Sequence, residues 1–343
     1  MKKILCAMII GISSLFAFST TASAANTTEN ESAGSSIKAP RTEKYVTKDG
    51  TQLVFHFYGH SSIAIEIQPT TTNNQKALGK TQVANKSFIY IDPVNRYGEF
   101  YKEPKAAAIL ITHSHPDHLD KVAIAELSKN MTIILSDRTS AESITGKQSD
   151  TNEGHMSIET IAVKSIGVSS LDREAGGKNS NSTENQEKAT CMTMSPGQAA
   201  TLSINKHGIA HIGMMTGAKS NDMMIKIEAV PAYNTTKGHL QFHPQARKDC
   251  GYIINIGGSR IYIAGDTENI PEMSNLKKID VVFLPVNQPF TMTVEQAAAA
   301  VKTIRPKIFY PYHYGNQNGQ ASDMKELAKL TARYTTIKIM NME

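Results

Sequence analysis

The run Thr112-His113-Ser114-His115-Pro116-Asp117-His118 follows directly on the apolar stretch Ala107-Ala108-Ile109-Leu110-Ile111. A stretch of that kind reads as a buried strand. The fold must therefore bring a strand to an edge and present three imidazoles and a carboxylate there, at His-X-His-X-Asp-His spacing. Packing offers no reason for four such side chains in so short a run. Imidazole suits zinc, iron, manganese or copper, and a carboxylate adds charge and a harder oxygen donor. The run reads as half of a metal site, with a ligand count that suits two ions. A solvated His-rich tract accounts poorly for the internal Asp and the strand behind it.

Residues 1–24 read as an export signal rather than part of the fold. Lys2 and Lys3 are basic, Ile4 to Phe18 is apolar, and Ala22-Ser23-Ala24 is a small-residue cleavage site with Ala25 as the mature N-terminus. The apolar run is too short to anchor the chain in a bilayer. Cys6 lies inside that run and away from the cleavage site, so it does not read as a lipid attachment point. The expectation is an exported protein, periplasmic or secreted, without a stable membrane anchor. Residues 25–40 are rich in Thr, Ser, Asn and Glu and read as a flexible leader. A single domain is expected over 41–343.

Removing the signal takes away two lysines and no acidic residue, so the formal charge of +5 falls to +3. That is too mild for nucleic acid or an anionic membrane as partner. Of the three cysteines, Cys191 and Cys250 remain. Export permits a disulfide between them, and neither has metal-site spacing.

Periodicity supplies the elements. Leu53, Phe55 and Phe57 alternate with Gln52, Val54 and His56, a strand over Thr51 to Tyr58. Gly59-His60 turns the chain into a second strand, Ser62 to Ile67. A polar stretch, Gln68 to Asn85, precedes a third strand, Ser87 to Ile91, which ends at Asp92-Pro93. After the His run, Leu119 to Lys129 has helical spacing and Met131 to Leu135 reads as a short buried strand. The region 140–189 reads as a polar insertion, with patches at Lys147 to Glu153 and Arg173 to Ala189 too polar to bury a core. His155, His207 and His211 lack ligand spacing, and Met214, Met215, Met223 and Met224 read as core filler. Order returns with strands at Met224 to Val230, Gly251 to Ile256, Arg260 to Ala264, Asp280 to Val286 and Lys307 to Pro311. Gly257-Gly258-Ser259 makes a tight hairpin turn. Thr293-Val294-Glu295-Gln296 is a capping box that opens an Ala-rich helix to about Ile304, and Arg305-Pro306 stops it.

Metal-ligating residue types thus recur immediately after strands: His113, His115, Asp117 and His118 after one, Asp266 after another, His313 after a third. The segments Gly59-His60-Ser61-Ser62, Tyr90-Ile91-Asp92-Pro93, Thr112 to Asp120, Pro231-Ala232-Tyr233-Asn234, Ile263 to Thr267, Leu284-Pro285-Val286-Asn287 and Pro311 to Gly315 stand in an order that resembles the metallo-β-lactamase superfamily. Within it, the chain is most similar to metal-dependent hydrolases like the ascorbate-6-phosphate lactonase-like proteins. The resemblance covers roughly 50–320 apart from the polar middle. It implies a four-layer αββα sandwich of the α/β (α+β) class with metals at one edge. It also implies that His113 and His115 hold one ion, that Asp117, His118 and His313 hold the other, and that Asp266 bridges them. One or two Zn2+ per chain are expected, with Mn2+ or Fe2+ as alternatives.

One position departs from the family pattern. Where a further histidine completes the first ion's ligands, this chain has Ala232-Tyr233-Asn234. His239 and His243 follow within a few residues. His243 is favoured, because similar proteins carry His-Pro there. His60, Asp92 and Tyr233 are expected to support the ligands from behind. The activity implied is hydrolysis of an ester, lactone, amide or phosphodiester bond of a small molecule by a metal-bound hydroxide, with Asp117 as catalytic base. The alternative is a non-catalytic metal- or small-molecule-binding module on the same fold, supported by the missing histidine. An antibiotic-degrading β-lactamase and a nuclease fit less well, the latter for want of a basic surface. Oligomeric state is not legible.

Overall fold

The computed structural model describes residues 39–69, 85–148, 156–166, 186–213, 222–315 and 321–342. These residues fall in one compact unit, 37–343. The signal, most of the leader, His155, Met214 and Met215 lie outside them, as does most of each polar patch.

Two eight-stranded sheets form the interior. The first contains β1 (Arg41–Val46), β2 (Gln52–Gly59), β3 (Ser62–Ile67), β4 (Ser87–Ile91), β5 (Ala108–Ile111), β6 (Ile133–Ser136), β7 (Ile158–Ala162) and β8 (Lys188–Thr193), in the order β1-β2-β3-β4-β5-β6-β8-β7. The second contains β9 (Ala199–Ile204), β10 (Ala210–Ile212), β11 (Met223–Pro231), β12 (Cys250–Ile256), β13 (Ser259–Ile263), β14 (Val281–Pro285), β15 (Ile308–Tyr312) and β16 (Thr336–Ile337), in the order β10-β9-β11-β12-β13-β14-β15-β16. Each sheet is mixed. Strands β4, β5 and β6 run parallel in one, and β13, β14 and β15 in the other.

Side-chain alternation separates the layers. Ile63, Ile65, Ile89, Ile91 and Leu110 belong to the core between the sheets, while Ala64, Tyr90, Ile109 and Ile111 face the other way. Between the sheets, Phe55 meets Phe283 edge-on at 5.6 Å and Phe57 meets Tyr310 at 5.2 Å. Each such buried side chain contributes about 1.5–3 kcal/mol. Helices α1 (Lys121–Leu127) and α2 (Arg138–Thr145) cover the outside of the first sheet through Ile124, Leu127, Ala141 and Ile144. Helices α3 (Val294–Ile304) and α4 (Met324–Thr331) pack together on the second-sheet side. The result is the four-layer αββα sandwich. No helix among the described residues is long and apolar enough to cross a membrane.

Local chemistry sets the boundaries. Thr293 and Gln296 form the reciprocal capping box of α3, and Arg305 leaves the helix in the left-handed region at φ 52°. Gly257 and Gly258, at φ 55° and 72°, make the β12–β13 turn, whose backbone twist suits glycine at both central positions. Helix α1 is shorter than the spacing suggests because Asp120 caps it, accepting from the amides of Val122 and Ala123.

The region 140–189 is only partly an insertion. It contains the end of α2, all of β7 and the start of β8, which close one edge of the first sheet. Their apolar pattern is weak: β7 (Ile-Glu-Thr-Ile-Ala) is the edge strand and buries little, and β8 mixes Lys188 and two threonines with its buried positions. Cys191 and Cys250 are both free thiols. Cys191 packs in the outer core and Cys250 in the core between the sheets, which keeps them apart.

Asp137 caps α2 from a buried position, accepting from the amides of Thr139 and Ser140. Burial pushes its carboxyl from 3.8 up to about 6. The folded state therefore holds this proton more tightly than the unfolded chain does, and stability falls as pH rises from about 4 to about 6. Asp137→Asn keeps an equally good cap. It is expected to remove that pH dependence and raise unfolding stability at pH 7 by about 1–3 kcal/mol, read from urea melts at both pH values.

Candidate metal centre

All the candidate ligands stand at one edge, where β2, β4, β5, β13 and β15 end and where loops follow β11 and β14. Hydrogen bonds tie the two sheets together here. The Cys250 amide donates to Thr112 O at 3.0 Å, the Tyr252 hydroxyl to Ile111 O at 2.8 Å and the His313 amide to His60 O at 3.0 Å. His60, Asp92 and His313 adopt φ of 52°, 45° and 48°. Such a left-handed backbone is uncommon outside glycine and concentrates at functional sites. Gly265, at φ 67°, turns the chain ahead of Asp266, and a Cβ there would lie 2.9 Å from Cys250 O.

Three groups of side chains converge: His113, His115 and His243; His60, Asp117, His118 and His313; and His113, His118 and Asp266. Asp266 is the common neighbour. Its carboxylate lies 3.2 Å from His313 Nε2, 3.3 Å from His243 Nε2, 3.4 Å from His118 Nε2 and 4.0 Å from His113 Nε2. His118 Nε2, His243 Nε2, His313 Nε2 and Asp266 Oδ1 are buried and make no hydrogen bond. Polar atoms buried without a partner are costly. Facing one another as imidazole nitrogens and a carboxylate oxygen, they fit divalent cations of the zinc type.

The outer nitrogens explain how the rings are aimed. His118 Nδ1 donates to Asp92 Oδ2 at 2.8 Å, and Asp92 also accepts from the Thr112 amide and hydroxyl. His113 Nδ1 lies 3.0 Å from Thr112 Oγ1. That hydroxyl gives its proton to Asp92, so it accepts from His113. His243 Nδ1 donates to Phe290 O at 3.1 Å. Each of these contacts turns an Nε2 lone pair inward.

Electrostatics divide the groups. Burial would lower His118, but the Asp266 and Asp92 carboxylates hold it well above the ordinary histidine range. Burial holds His113 well below that range, helped by the nearby His118. Burial and the His313 ring lower His60 to about 4. Against burial, the positive field of His313 and His118 keeps Asp266 well below the usual carboxylate range.

The sequence-derived candidates are placed as follows. His113, His115, Asp117, His118, Asp266 and His313 all lie in the cluster. His243 joins it from the loop after β11, while His239 instead lies 3.4 Å from Glu268. Asp92 stands behind His118. His60 contacts Asp117 Oδ2 at 3.0 Å and its ring lies 3.6 Å from that of His313, which puts it within one of the ligand groups. Tyr233 corrects the expectation for its side chain. Its hydroxyl donates to Glu272, and only its backbone serves the site, bonding to Thr267 and Glu268 beside Asp266. Burial and that carboxylate push the phenol up to about 12, and the hydroxyl is turned onto Glu272. Tyr312 and Tyr314 are committed to Gly265 O and the Met342 amide. His207, before β10, and His211, on it, belong to no ligand group among the described residues.

Sequence reasoning missed two supports. Glu268 Oε2 accepts from the amides and hydroxyls of both Thr235 and Thr236, fixing the start of the loop that carries His243. Arg247 sits in a Gln-Ala-Arg-Lys-Asp loop with no motif to single it out. It is locked onto Asp249 and places Nη1 2.8 Å from His115 Nε2.

The sandwich and its edge of candidate ligands define a metallo-β-lactamase-type fold. Residues 80–313 match the Beta-lactamase superfamily domain, and the chain belongs to that superfamily. A protein of Parabacteroides distasonis ATCC 8503, described as a metal-dependent hydrolase, is 32% identical; the match covers 89% of this chain and all of that one with a TM-score of 0.58. UPF0173 metal-dependent hydrolases are similar over shorter stretches. That of Thermococcus onnurineus is 34% identical over 40% of this chain and 61% of its own length. That of Symbiobacterium thermophilum is 39% identical over 29% and 48%. The chain thus spans about half to three fifths of the curated relatives it matches.

Two measurements test the centre. Elemental analysis of protein equilibrated with excess Zn2+ and then freed of unbound metal is expected to give two divalent ions per chain, and His243→Ala to give one. Asp92→Asn is expected to weaken the ion near His118 by about 10–100-fold in calorimetric titration; unchanged affinity would remove Asp92 from this role.

Proposed function

We propose that the protein is an exported hydrolase that uses two zinc ions to cleave an ester, lactone, amide or phosphodiester bond in a small molecule. The observation that carries this reading is the meeting of the His113/His115/His243 and Asp117/His118/His313 groups on the one buried carboxylate of Asp266. Cations held there would polarise a scissile carbonyl or phosphoryl oxygen and lower the pKa of water.

The chain's own residues supply the remainder. Asp117 is the partly exposed carboxylate of the cluster, with 29% of its side chain accessible. Burial opposes its ionisation, yet the His60 hydrogen bond and the His118 charge hold it well below the usual carboxylate range. It is therefore ionised at neutral pH, and its exposure beside the cluster, not its basicity, makes it the candidate to take a proton during turnover. Phe242 and Phe290 meet at 4.8 Å beside His243, and Leu240 on the same loop is exposed. This apolar rim suits the carbon skeleton of an ester or lactone better than a polyanion. The ground for a non-catalytic module is the missing histidine; the approach of His243 Nε2 to within 3.3 Å of Asp266 supports His243 as its substitute and so favours the hydrolase reading.

Turnover of a chromogenic ester and a chromogenic phosphodiester with added zinc or manganese tests the reaction. Asp117→Ala and Asp266→Ala are each expected to cut kcat by at least ~100-fold; full activity in both variants would sink the proposal. Export is tested by mass spectrometry of the mature chain, with Ala25 expected as its first residue.

A further inference from the structure

The two ligand groups are not equally supported, and the difference lies in one residue. A histidine that gives one ring nitrogen to a cation keeps its proton on the other, and that N–H needs an acceptor. His118 has Asp92, His243 has Phe290 O, His113 has Thr112 Oγ1, and His313 Nδ1 lies 3.5 Å from the side-chain amide of Asn287, which can turn its oxygen to accept. His115 is the exception. Its Nδ1 faces the ligand group, 3.0 Å from His113 Nε2, while its Nε2 faces Arg247 Nη1 at 2.8 Å. A guanidinium carries only donors and does not deprotonate in proteins. The contact is therefore a hydrogen bond only if His115 Nε2 offers its lone pair and its proton sits on Nδ1, the nitrogen the cation needs.

Arg247 is not free to turn away. Its Nε lies 2.7 Å and 2.9 Å from the two Asp249 oxygens, its Nη2 lies 2.5 Å from Oδ2, and Asp249 is buried. The bidentate clamp fixes the plane of the guanidinium and the direction of Nη1.

We propose that Arg247, clamped by Asp249, competes with the cation for His115, making the His113/His115/His243 site the weak, exchangeable one and the Asp117/His118/His313 site the tight one. This rests on the two-ion reading above. Filling the weak site requires the His115 proton to move from Nδ1 to Nε2 and the Arg247 contact to open. No proton is released, because the ring stays neutral throughout. Arg247 is thus a positioning residue that sets how the centre loads.

The test is calorimetric titration of chelator-stripped full-length protein with Zn2+ alone, together with 15N chemical shifts of labelled histidine. Wild type is expected to bind two ions at least tenfold apart in affinity, with His115 protonated at Nδ1 before zinc is added. Arg247→Gln offers an acceptor to Nε2 and is expected to tighten the weaker site by about tenfold, leaving the tighter one unchanged. Arg247→Gln with Asp249→Asn avoids leaving a buried carboxylate unpaired and should show the same gain. Arg247→Lys keeps a donor and should show none. Two ions with an unchanged affinity ratio in the Gln variants, or His115 protonated at Nε2 in stripped wild type, would overturn the inference and leave the hydrolase reading intact. Failure to bind zinc at all would overturn both.

Discussion

The burial of Asp266 is the constraint around which the functional edge is built. An ionised carboxylate inside a protein needs compensation. Here it comes from a ring of imidazoles contributed by both sheets, at 3.2–4.0 Å. The turn that carries Asp266 is held just as tightly. Thr267 and Glu268 bond the Tyr233 backbone, and Glu268 gathers four donors from Thr235 and Thr236. The same three-residue turn therefore supplies the central carboxylate and anchors the loop that brings His243 to it. A change at Glu268 would be felt at His243 without touching a ligand.

Strain follows from the same demand. His60, Asp92 and His313 each leave a strand in the left-handed region, and each side chain then enters the cluster or backs it. The backbone cost, about 1–3 kcal/mol per residue, is offset by the cores on both faces of each sheet. A rigid sandwich lets the edge hold geometry that an isolated loop could not.

Much of this was legible in the sequence, for identifiable reasons. The His113–His118 run is contiguous and follows an apolar strand, so spacing alone shows it. Asp266 and His313 gain meaning only from their strand-end positions. His243 was a choice between two loop histidines, since no periodicity acts on a loop and the departure at Tyr233 marks only where a ligand is missing. Arg247 and Glu268 gave no signal, because their roles depend on contacts far along the chain. Among the elements, β2 to β6 and β11 to β15 declare themselves by apolar pattern. Strands β7 to β10 lie at or near sheet edges; β7 to β9 interrupt their apolar residues with Thr, Ser, Glu or Lys, and β10 is only three residues long. Helix α2 begins Arg-Thr-Ser, and its local marks are the Asp137 cap and the left-handed Gly146 that ends it.

The hydrogen bond from Tyr252 to Ile111 joins residues 141 positions apart, and the ligands draw on an even wider span. Neither half of the chain holds a complete ligand set: one brings the His113–His118 run, the other His243, Asp266 and His313. Bringing together ligands this far apart costs loop-closure entropy that the docked sheets repay. A cation held at this edge would reward only the molecule whose two sheets have docked, and would act as a clasp on the assembled sandwich.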